Sequence, residues 1–189
     1  MDFLLELDYN LFYWINQQWS NSLFDFILPL ARNKYVWIPF YVFILSYILF
    51  NYKKMGYKII VILFLVIGIS DAVSSHAIKK NVQRIRPCNN DQMEVVERIH
   101  CGSGYSFTSS HAANHFAIAA FLSLVLVKRR SIKWLLFTWA GVISLAQVYV
   151  GVHFPLDIIC GMILGILVAR VGNYLIKLWG YHPNLINSA

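Results

Sequence analysis

Residues 106–127 read SFTSSHAANHFAIAAFLSLVLV, and this stretch decides the fold. It belongs to a longer segment, positions 99–127, in which no Lys, Arg, Asp or Glu occurs. A helix of about 20 apolar residues crosses the roughly 30 Å of hydrocarbon in a bilayer. The pattern therefore predicts a membrane-spanning helix with a polar beginning.

Four further runs have the same character along the chain. They are 35–52, 58–79 with Asp71 as the only charge between its ends, 134–152, and 155–176 with only Asp157 and Arg170 charged. Of the 189 residues, 58% are hydrophobic and 13% are charged, whereas about a quarter are charged in a soluble domain. This composition excludes a disordered chain, an ordinary soluble enzyme and a nucleic-acid-binding tail protein. We predict an all-α fold, a polytopic transmembrane helical bundle of five to six spans.

Residues 1–31 differ, because acidic residues are spread among Leu, Phe and Trp. We interpret this segment as one or two interfacial amphipathic helices, with Trp14 and Trp19 at headgroup level. A sixth span within 22–31 is the less favoured alternative, since the segment is too short to cross. The chain is then a single membrane-embedded domain, 1–189, with interfacial N-terminal helices at 1–31 and a transmembrane bundle at 32–178.

The net charge of +7 has two interpretations, basic cytoplasmic loops or a site for an anionic headgroup. Nine basic residues fall on one side of the predicted bundle: Lys53, Lys54, Lys58, Lys128, Arg129, Arg130, Lys133, Arg170 and Lys177. Seven fall on the other: Arg32, Lys34, Lys79, Lys80, Arg84, Arg86 and Arg98. The first set is concentrated in two tight turns without acidic residues, which favours the cytoplasm. We expect a multi-pass protein of a bacterial-type inner (plasma) membrane, with the loop 80–106 facing the periplasm or exterior.

A first polar cluster, KKNVQRIRP at 79–87, lies on this outer side. Lys79 and Arg86 are seven residues apart, almost two helical turns, so they share a helix face. An Arg and a Lys on one face at a membrane surface suit a phosphate. Taken alone, the cluster is better explained as a basic boundary that anchors the helix to headgroups.

A second cluster, SFTSSHAANH at 106–115, opens the third predicted span. Ser109 and Ser110 are suited to cap a helix N-terminus, which also attracts anions. A simple cap does not explain His111 and His115, since ionisable groups at membrane depth are candidates for function. For His115 we favour a buried, hydrogen-bonded core histidine over a catalytic role.

The third cluster, AQVYVGVHFPLD at 146–157, precedes the last span. Pro155 suits the first turn of that helix, with His153 just before it and Asp157 within its first turn. A carboxylate there can accept the imidazole Nδ1–H, fix the tautomer and leave Nε2 to attack. Equally open is a structural reading, with Asp157 as a partner of the helix dipole and His153 as an interface residue.

Membrane topology brings all three clusters to one face at a similar depth. Two cations, a helix N-terminus, two histidines and a carboxylate are the groups needed for phosphoryl transfer through a phosphohistidine. Covalent catalysis divides one difficult displacement into two easier ones, and the cations stabilise charge on the phosphoryl oxygens.

These clusters resemble the motifs of the type 2 phosphatidic acid phosphatase superfamily, the integral-membrane lipid phosphatases. The family pattern is Lys-x6-Arg-Pro, then Pro-Ser-Gly-His, then Ser-Arg-x5-His-x3-Asp. The segments here are Lys79-x6-Arg86-Pro87, Thr108-Ser109-Ser110-His111 and Ala146-Gln147-x5-His153-x3-Asp157. Order, spacing and placement in the membrane carry the resemblance together, over residues 79–157.

The resemblance implies a role for each matching residue. The catalytic residues are His153 as nucleophile, Asp157 as its orienting partner, and His111 as the acid that protonates the leaving group. The substrate phosphate is bound by Lys79, Arg86, Ser109, Ser110 and Gln147. No metal and no cofactor are implied, because the clusters lack the acidic residues of a magnesium or zinc site.

Departures from the family pattern affect the phosphate-binding residues most. Thr108 replaces Pro, and Ser110 replaces Gly while keeping its backbone N–H. Gln147 replaces a phosphate-binding Arg, so it can donate a hydrogen bond but brings no charge. Either the site is slower or weaker, or Arg84 or Lys80 substitutes for the missing cation.

Two cysteines, Cys88 and Cys101, flank the outer loop. In an oxidising compartment they can form a disulfide that holds the loop over the site. Two free thiols are the alternative if the topology is inverted. Cys160, within the last span, is expected to pack as a small apolar residue.

The predicted function is a membrane lipid phosphatase acting on a lipid phosphate or diphosphate, with undecaprenyl diphosphate as the first choice of substrate. Expected partners are that substrate and membrane lipids, not nucleic acid. One alternative is a phosphotransferase of the same family that passes phosphate to a lipid or sugar. Another is a non-catalytic binder or transporter of anionic lipid. A channel built on Asp71 and His76 is disfavoured, because the clusters lie at one membrane face.

Overall fold

The computed structural model describes residues 2–181, and its regular elements are helical. The seven α-helices are α1 Asp2–Tyr13, α2 Ser22–Arg32, α3 Ile38–Ala72, α4 Lys79–Val82, α5 Ser110–Val125, α6 Arg130–Tyr149 and α7 Pro155–Leu178. Two π-helical segments, Trp14–Gln18 and Val73–Ile78, extend α1 and join α3 to α4. Two short 3-10 helices are Lys34–Trp37 and Pro87–Asn89. The all-helical prediction is confirmed.

The longest element, α3, consists of two apolar arms that fold back on each other. Lys53 interrupts it with φ 48° and ψ −125°. A Cβ built on Gly56 would lie only 2.8 Å from the carbonyl O of Ile48, although residues eight apart are about 12 Å apart along a continuous helix. The chain therefore reverses at the turn where the sequence places Lys53 and Lys54.

Within residues 2–181, three helical stretches are long and apolar enough to cross a membrane: Lys34–Asn89, Arg130–Tyr149 and Pro155–Leu178. The first contains the reversal at Lys53 and so holds two of the predicted apolar runs. α5 is a shorter apolar helix. Together they make the chain a multi-pass membrane bundle.

A close contact between α5 and α7 forms the centre of this bundle. A Cβ on Gly161 would meet the Cβ of Ala112 at 3.1 Å and the backbone N of Ala113 at 3.2 Å. One on Gly165 would meet the backbone N of Ala117 at 2.8 Å. The Gly-x3-Gly pattern of α7 thus lets the two backbones approach closely, as small residues do in membrane helix pairs.

The two ends of the bundle have different chemistry. At one end, Lys58 Nζ donates to the carbonyl of Trp179 at 3.0 Å, and the Tyr181 hydroxyl donates to the carbonyl of Val125 at 2.7 Å. These contacts lie beside the basic turns that contain Lys53 and Lys128. At the other end, α4, the start of α5 and the start of α7 meet, and there the three polar clusters come together.

The N-terminal helices pack against this second end. Phe12 is fully buried beside Phe154, with ring centroids 5.3 Å apart. Asn16 donates to the carbonyl of Tyr149 at 2.8 Å and accepts from Val96 N at 2.9 Å. Residues of α1 and of the segment after it thus contribute buried contacts to this end of the bundle, and the proposed domain boundary at residue 31 stays a prediction.

Candidate active site

His153 and Asp157 form a pair at the start of α7. Pro155 begins the helix, and Asp157 Oδ2 accepts from the backbone N–H of Phe154 at 2.8 Å, which closes the first turn. The same oxygen lies 3.4 Å from His153 Nδ1. Asp157 therefore caps the helix and also lies within hydrogen-bond distance of the imidazole, and its role as the orienting partner of a nucleophile stays a prediction.

The backbone around His153 fixes the direction of its ring. The carbonyl of Gln147 accepts from the N–H of Val152 at 3.1 Å and of His153 at 3.3 Å. Gly151 makes the turn possible with φ 88°, and a Cβ there would lie 2.6 Å from Val95 Cγ1. This position needs glycine for its backbone conformation and for space.

His153 is buried, with 2% of its surface exposed. Burial lowers its pKa to about 4, although the hydrogen bond and charge of Asp157 act to raise it. The imidazole is therefore neutral at pH 7, with Nδ1–H donating to Asp157. Its Nε2 makes no hydrogen bond to residues 2–181, which leaves a lone pair available for attack.

Arg84 completes the support of Asp157. One of its terminal nitrogens donates to Asp157 Oδ1 at 2.9 Å, and the other donates to Asp8 Oδ2 at 2.6 Å. Its guanidinium also stacks on the ring of Phe154, 3.8 Å from the centroid. Arg84 is thus held between two carboxylates, and it does not provide a free cation in place of the missing Arg at Gln147.

Asp8 belongs to the site but was not predicted from the sequence. Its side chain is almost fully buried, and Oδ1 accepts from the backbone N–H of Leu156 at 2.7 Å, while Oδ2 binds Arg84. One local signal was present: Asp8 and Phe12 are four residues apart, so they share a helix face. An acidic residue on the same face as a buried aromatic indicates a buried partner rather than solvent.

The prediction that Lys79 and Arg86 share a helix face is wrong, because α4 ends at Val82 and Arg86 lies in extended backbone with φ −69° and ψ 150°. Both side chains nevertheless lie at the same end of the bundle and bind only backbone carbonyls. Lys79 Nζ donates to the carbonyl of Tyr105 at 3.2 Å. Arg86 donates to the carbonyl of Gly104 at 3.1 Å and to that of Val152 at 3.5 Å. Neither side chain forms a direct ion pair with a carboxylate of the described chain, so both cations near His153 remain able to pair with an anion.

At the beginning of α5, the predicted phosphate-binding serines serve structural roles as well. The N–H of Ser109 donates to the carbonyl of Asp157 at 3.0 Å, and its hydroxyl accepts from Ala112 N at 3.4 Å. The Ser110 hydroxyl lies 3.0 Å from the hydroxyls of both Ser74 and Ser75. These bonds fix the N-terminus of α5 between α7 and the segment after α3, where its first N–H groups suit an anion.

The two histidines of α5 differ in their surroundings. His115 Nδ1 lies 2.8 Å from the carbonyl of His111, and Nε2 lies 3.1 Å from the Tyr41 hydroxyl. Its ring also packs on Trp139 at 5.2 Å between centroids. His115 is therefore a buried, hydrogen-bonded core histidine, whereas the His111 ring is half-buried on the side of the site.

Two features of the outer loop hold it in place over these residues. A disulfide joins Cys88 and Cys101, whose Cα atoms are 6.0 Å apart. Cys88 N also donates to the carbonyl of Gly151 at 3.1 Å. The loop that supplies the carbonyls of Gly104 and Tyr105 is thereby attached to the turn before His153.

Asp71 has a hydrogen-bond partner on a neighbouring helix. Its Oδ1 accepts from the Asn114 amide at 3.0 Å across α3 and α5. Among residues 2–181, no three His, Cys, Asp or Glu side chains gather as a metal site requires. The expected absence of a metal stays a prediction.

Comparison with known proteins places this geometry in a family. The PAP2 superfamily model matches residues 59–180. The lipid A 4'-phosphatase of Bacteroides thetaiotaomicron is 29% identical over 171 residues, which are 87% of this chain and 75% of that protein. The lipid A 4'-phosphatase of Porphyromonas gingivalis is 27% identical over 188 residues, 96% of this chain and 76% of that protein.

A solved structure has the same fold. The crystal structure of Aquifex aeolicus LpxE superposes with a TM-score of 0.65 at 28% sequence identity, covering 88% of this chain and 94% of that one. These matches define a multi-pass membrane enzyme of the lipid phosphatase class. Within that class, the chain belongs to the PAP2 superfamily, as its three motifs predict.

Proposed function

We propose that the protein removes phosphate from a membrane lipid through a phosphohistidine formed on His153. One observation carries this proposal: a neutral imidazole whose Nδ1 faces Asp157 at 3.4 Å and whose Nε2 is not bonded to the protein. Nε2 attacks phosphorus and the bond to the lipid oxygen breaks. Asp157 stabilises the cationic ring that forms, as a carboxylate does in other His-based catalysis.

Proton transfer is assigned to His111. In the first step it donates a proton to the leaving lipid oxygen, and in the second it takes a proton from the water that attacks the phosphohistidine. That attack releases inorganic phosphate and restores His153. A dianionic phosphoryl group beside His111 favours its protonated form before the first step.

Charge on the phosphoryl oxygens is balanced by Lys79 and Arg86. Both side chains bind only backbone carbonyls, so they can turn to the phosphate without breaking an ion pair. The Ser109 hydroxyl and the N–H groups of Ser110 and His111 complete the anion site at the α5 N-terminus.

An apolar groove supports a lipid substrate. It has a volume of about 500 Å³, lies between α3 and α5, and is lined by Tyr41, Ile44, Leu63, Phe64 and Ile67 along its length. Ser110 and His111 line the same groove. An acyl or prenyl chain lying in it would therefore have its phosphate beside the catalytic residues.

For the headgroup, we propose a lipid A-type phosphate monoester as the first substrate to test. The two lipid A 4'-phosphatases match most of this chain, which supports it over undecaprenyl diphosphate, the sequence-based first choice. We further propose an inner membrane location with the site facing the periplasm or exterior. The basic turns at the opposite end support this orientation.

The decisive experiment measures free phosphate released by purified protein in detergent, without an added acceptor. Substrates are lipid A, undecaprenyl diphosphate and phosphatidic acid, each with and without EDTA. We expect release that EDTA does not reduce, and loss of at least about 10³-fold in His153→Ala. The matched control is His100→Ala, a histidine in an exposed part of the outer loop.

Each result has a distinct meaning. Activity that survives in His153→Ala contradicts the phosphohistidine. Activity lost with EDTA contradicts the metal-free mechanism. Phosphate that appears only when a lipid or sugar hydroxyl is supplied, and then on that acceptor, establishes the phosphotransferase instead.

A further inference from the structure

Gln147, in α6, is neutral, so this helix supplies no cation next to His153, the proposed nucleophile. It stands where the family motif has Arg. Its amide O and N are both buried and have no hydrogen-bond partner among residues 2–181. Buried polar groups are paired in nearly all proteins, so two such atoms in one side chain point to a contact made with something other than the protein.

The two cations that the sequence offered as substitutes do not fill this role. Arg84 is bound on both sides by Asp8 and Asp157. Lys80 is exposed on the outer side of α4. Arg84 would have to break a buried ion pair to bind a phosphoryl group at His153. Lys80 would have to move from its exposed position into the site.

Arg32, the last residue of α2, has a different environment. Its Nε is buried without a hydrogen-bond partner, and no carboxylate of the described chain forms an ion pair with it. Its charge is within electrostatic range of Arg86 and His111. Burial and then the charge of Arg86 lower the pKa of Arg32 from its ordinary value. Arg32 is thus a partly buried cation within electrostatic range of a second cation.

The packing of α2 places the helix that carries Arg32 beside α6. At the beginning of α2, Phe24 packs on Tyr149 at 6.2 Å between centroids. Just after its end, Trp37 packs on Trp139 at 5.7 Å. α2 therefore runs antiparallel along the outer half of α6, the helix that carries Gln147.

We propose that Arg32 binds the substrate phosphoryl group, so that α2 supplies the cation that Gln147 does not. This inference rests on the proposed function, since it adds a ligand to the same phosphate. Arg86 is within electrostatic range of both Arg32 and Lys79, and a phosphoryl dianion bound beside these cations removes the cost of their repulsion. A guanidinium also suits the geometry of phosphate oxygens.

A structural role is the competing explanation, because a cation at a helix C-terminus stabilises the helix. The test uses orthovanadate, a phosphate analogue, as the probe. Its affinity is measured by the rise in melting temperature that it causes and, where phosphate release is detected, by inhibition. The variants are Arg32→Gln, Arg32→Gln combined with Gln147→Arg, and the control Lys80→Gln.

We expect Arg32→Gln to weaken vanadate binding about 10-fold or more, the effect of losing one charge-assisted contact. Its melting temperature without vanadate should match that of the native protein, and Lys80→Gln should bind vanadate normally. Unchanged vanadate affinity in Arg32→Gln overturns the proposal. If both the vanadate affinity and the unliganded melting temperature fall in Arg32→Gln, the double variant Arg32→Gln with Gln147→Arg decides. Recovery of vanadate affinity in the double variant supports the proposal, and no recovery overturns it.

The thermal measurement does not require turnover. A native protein that binds vanadate through Arg32 but releases no phosphate from any lipid would refute the proposed function and leave this inference standing.

Discussion

Two groups of charged residues in the candidate site differ in whether they form ion pairs within the protein. On the paired side, defined by Asp8, Arg84, Asp157 and His153, Arg84 forms ion pairs with both carboxylates and the neutral His153 is hydrogen-bonded to Asp157. On the cation side, defined by Arg32, Lys79 and Arg86, the contacts are backbone carbonyls or none. The first set is therefore neutralised within the protein, whereas the second set leaves positive charge that suits an anion.

This separation has an energetic consequence. Removing a group from the paired side leaves its buried partner without compensation, which costs stability as well as orientation. Removing a cation from the cation side relieves repulsion, so we expect stability to be kept and, on the proposed function, phosphate binding to be lost. Rate, affinity and melting temperature should therefore respond differently on the two sides.

The largest effect is expected from Asp157→Asn. His153 Nδ1 loses its carboxylate and Arg84 loses one of its two partners, so kcat should fall about 10²–10⁴-fold. The Michaelis constant should change little. Steady-state kinetics with the best lipid phosphate checks this. A variant that loses affinity while keeping kcat would contradict the assignment of Asp157 to the paired side.

Lys79→Gln tests the cation side. We expect kcat/KM to fall roughly 10- to 100-fold and vanadate inhibition to weaken by a similar factor, since one charged contact to phosphate is lost. The melting temperature should not decrease. Lys80→Gln, the adjacent and exposed lysine, is the matched control. A large loss of stability in Lys79→Gln would place this residue on the paired side instead.

Asp8→Asn probes the paired side far from the reacting atoms. One partner of Arg84 becomes neutral while Leu156 N keeps an acceptor, so unfolding should become easier by about 1–3 kcal/mol. Activity should fall only a few-fold. Denaturation in detergent measures the effect, with Glu6→Gln on the exposed face of α1 as control. If the two variants are equally stable, Asp8 does not belong to the paired side.

The smallest effect on catalysis is expected from Cys88→Ser combined with Cys101→Ser. Opening a loop of 13 residues should cost stability of about 3 kcal/mol, on the loop-entropy account. Activity should decrease modestly, because the carbonyls that hold Lys79 and Arg86 become less ordered. Cys160→Ser is the control. Equal melting temperatures for the double variant and the native protein would show that other contacts hold the loop.

The sequence predicted the apolar runs and the meeting of three polar clusters, because both follow from local charge patterns and from alternation across a membrane. It did not predict that Asp8 binds Arg84, since the pair is 76 positions apart and no spacing rule connects them. Arg32 was likewise predicted only as one of the seven basic residues on the outer side, because no spacing rule connects it to the three polar clusters. The role of Gly161 and Gly165 becomes visible only when the facing residues of α5 are known.

The contact at Gly161 and Gly165 also bears on how the protein would respond to the thickness of its bilayer. Helices in membranes of different thickness tilt or slide to match their apolar length. Here α5 and α7 approach too closely to slide, because Gly165 is almost in contact with the backbone of Ala113 and Ala117. The pair should tilt as one body, and the spacing between His111 and His153 should stay the same in thin and thick bilayers.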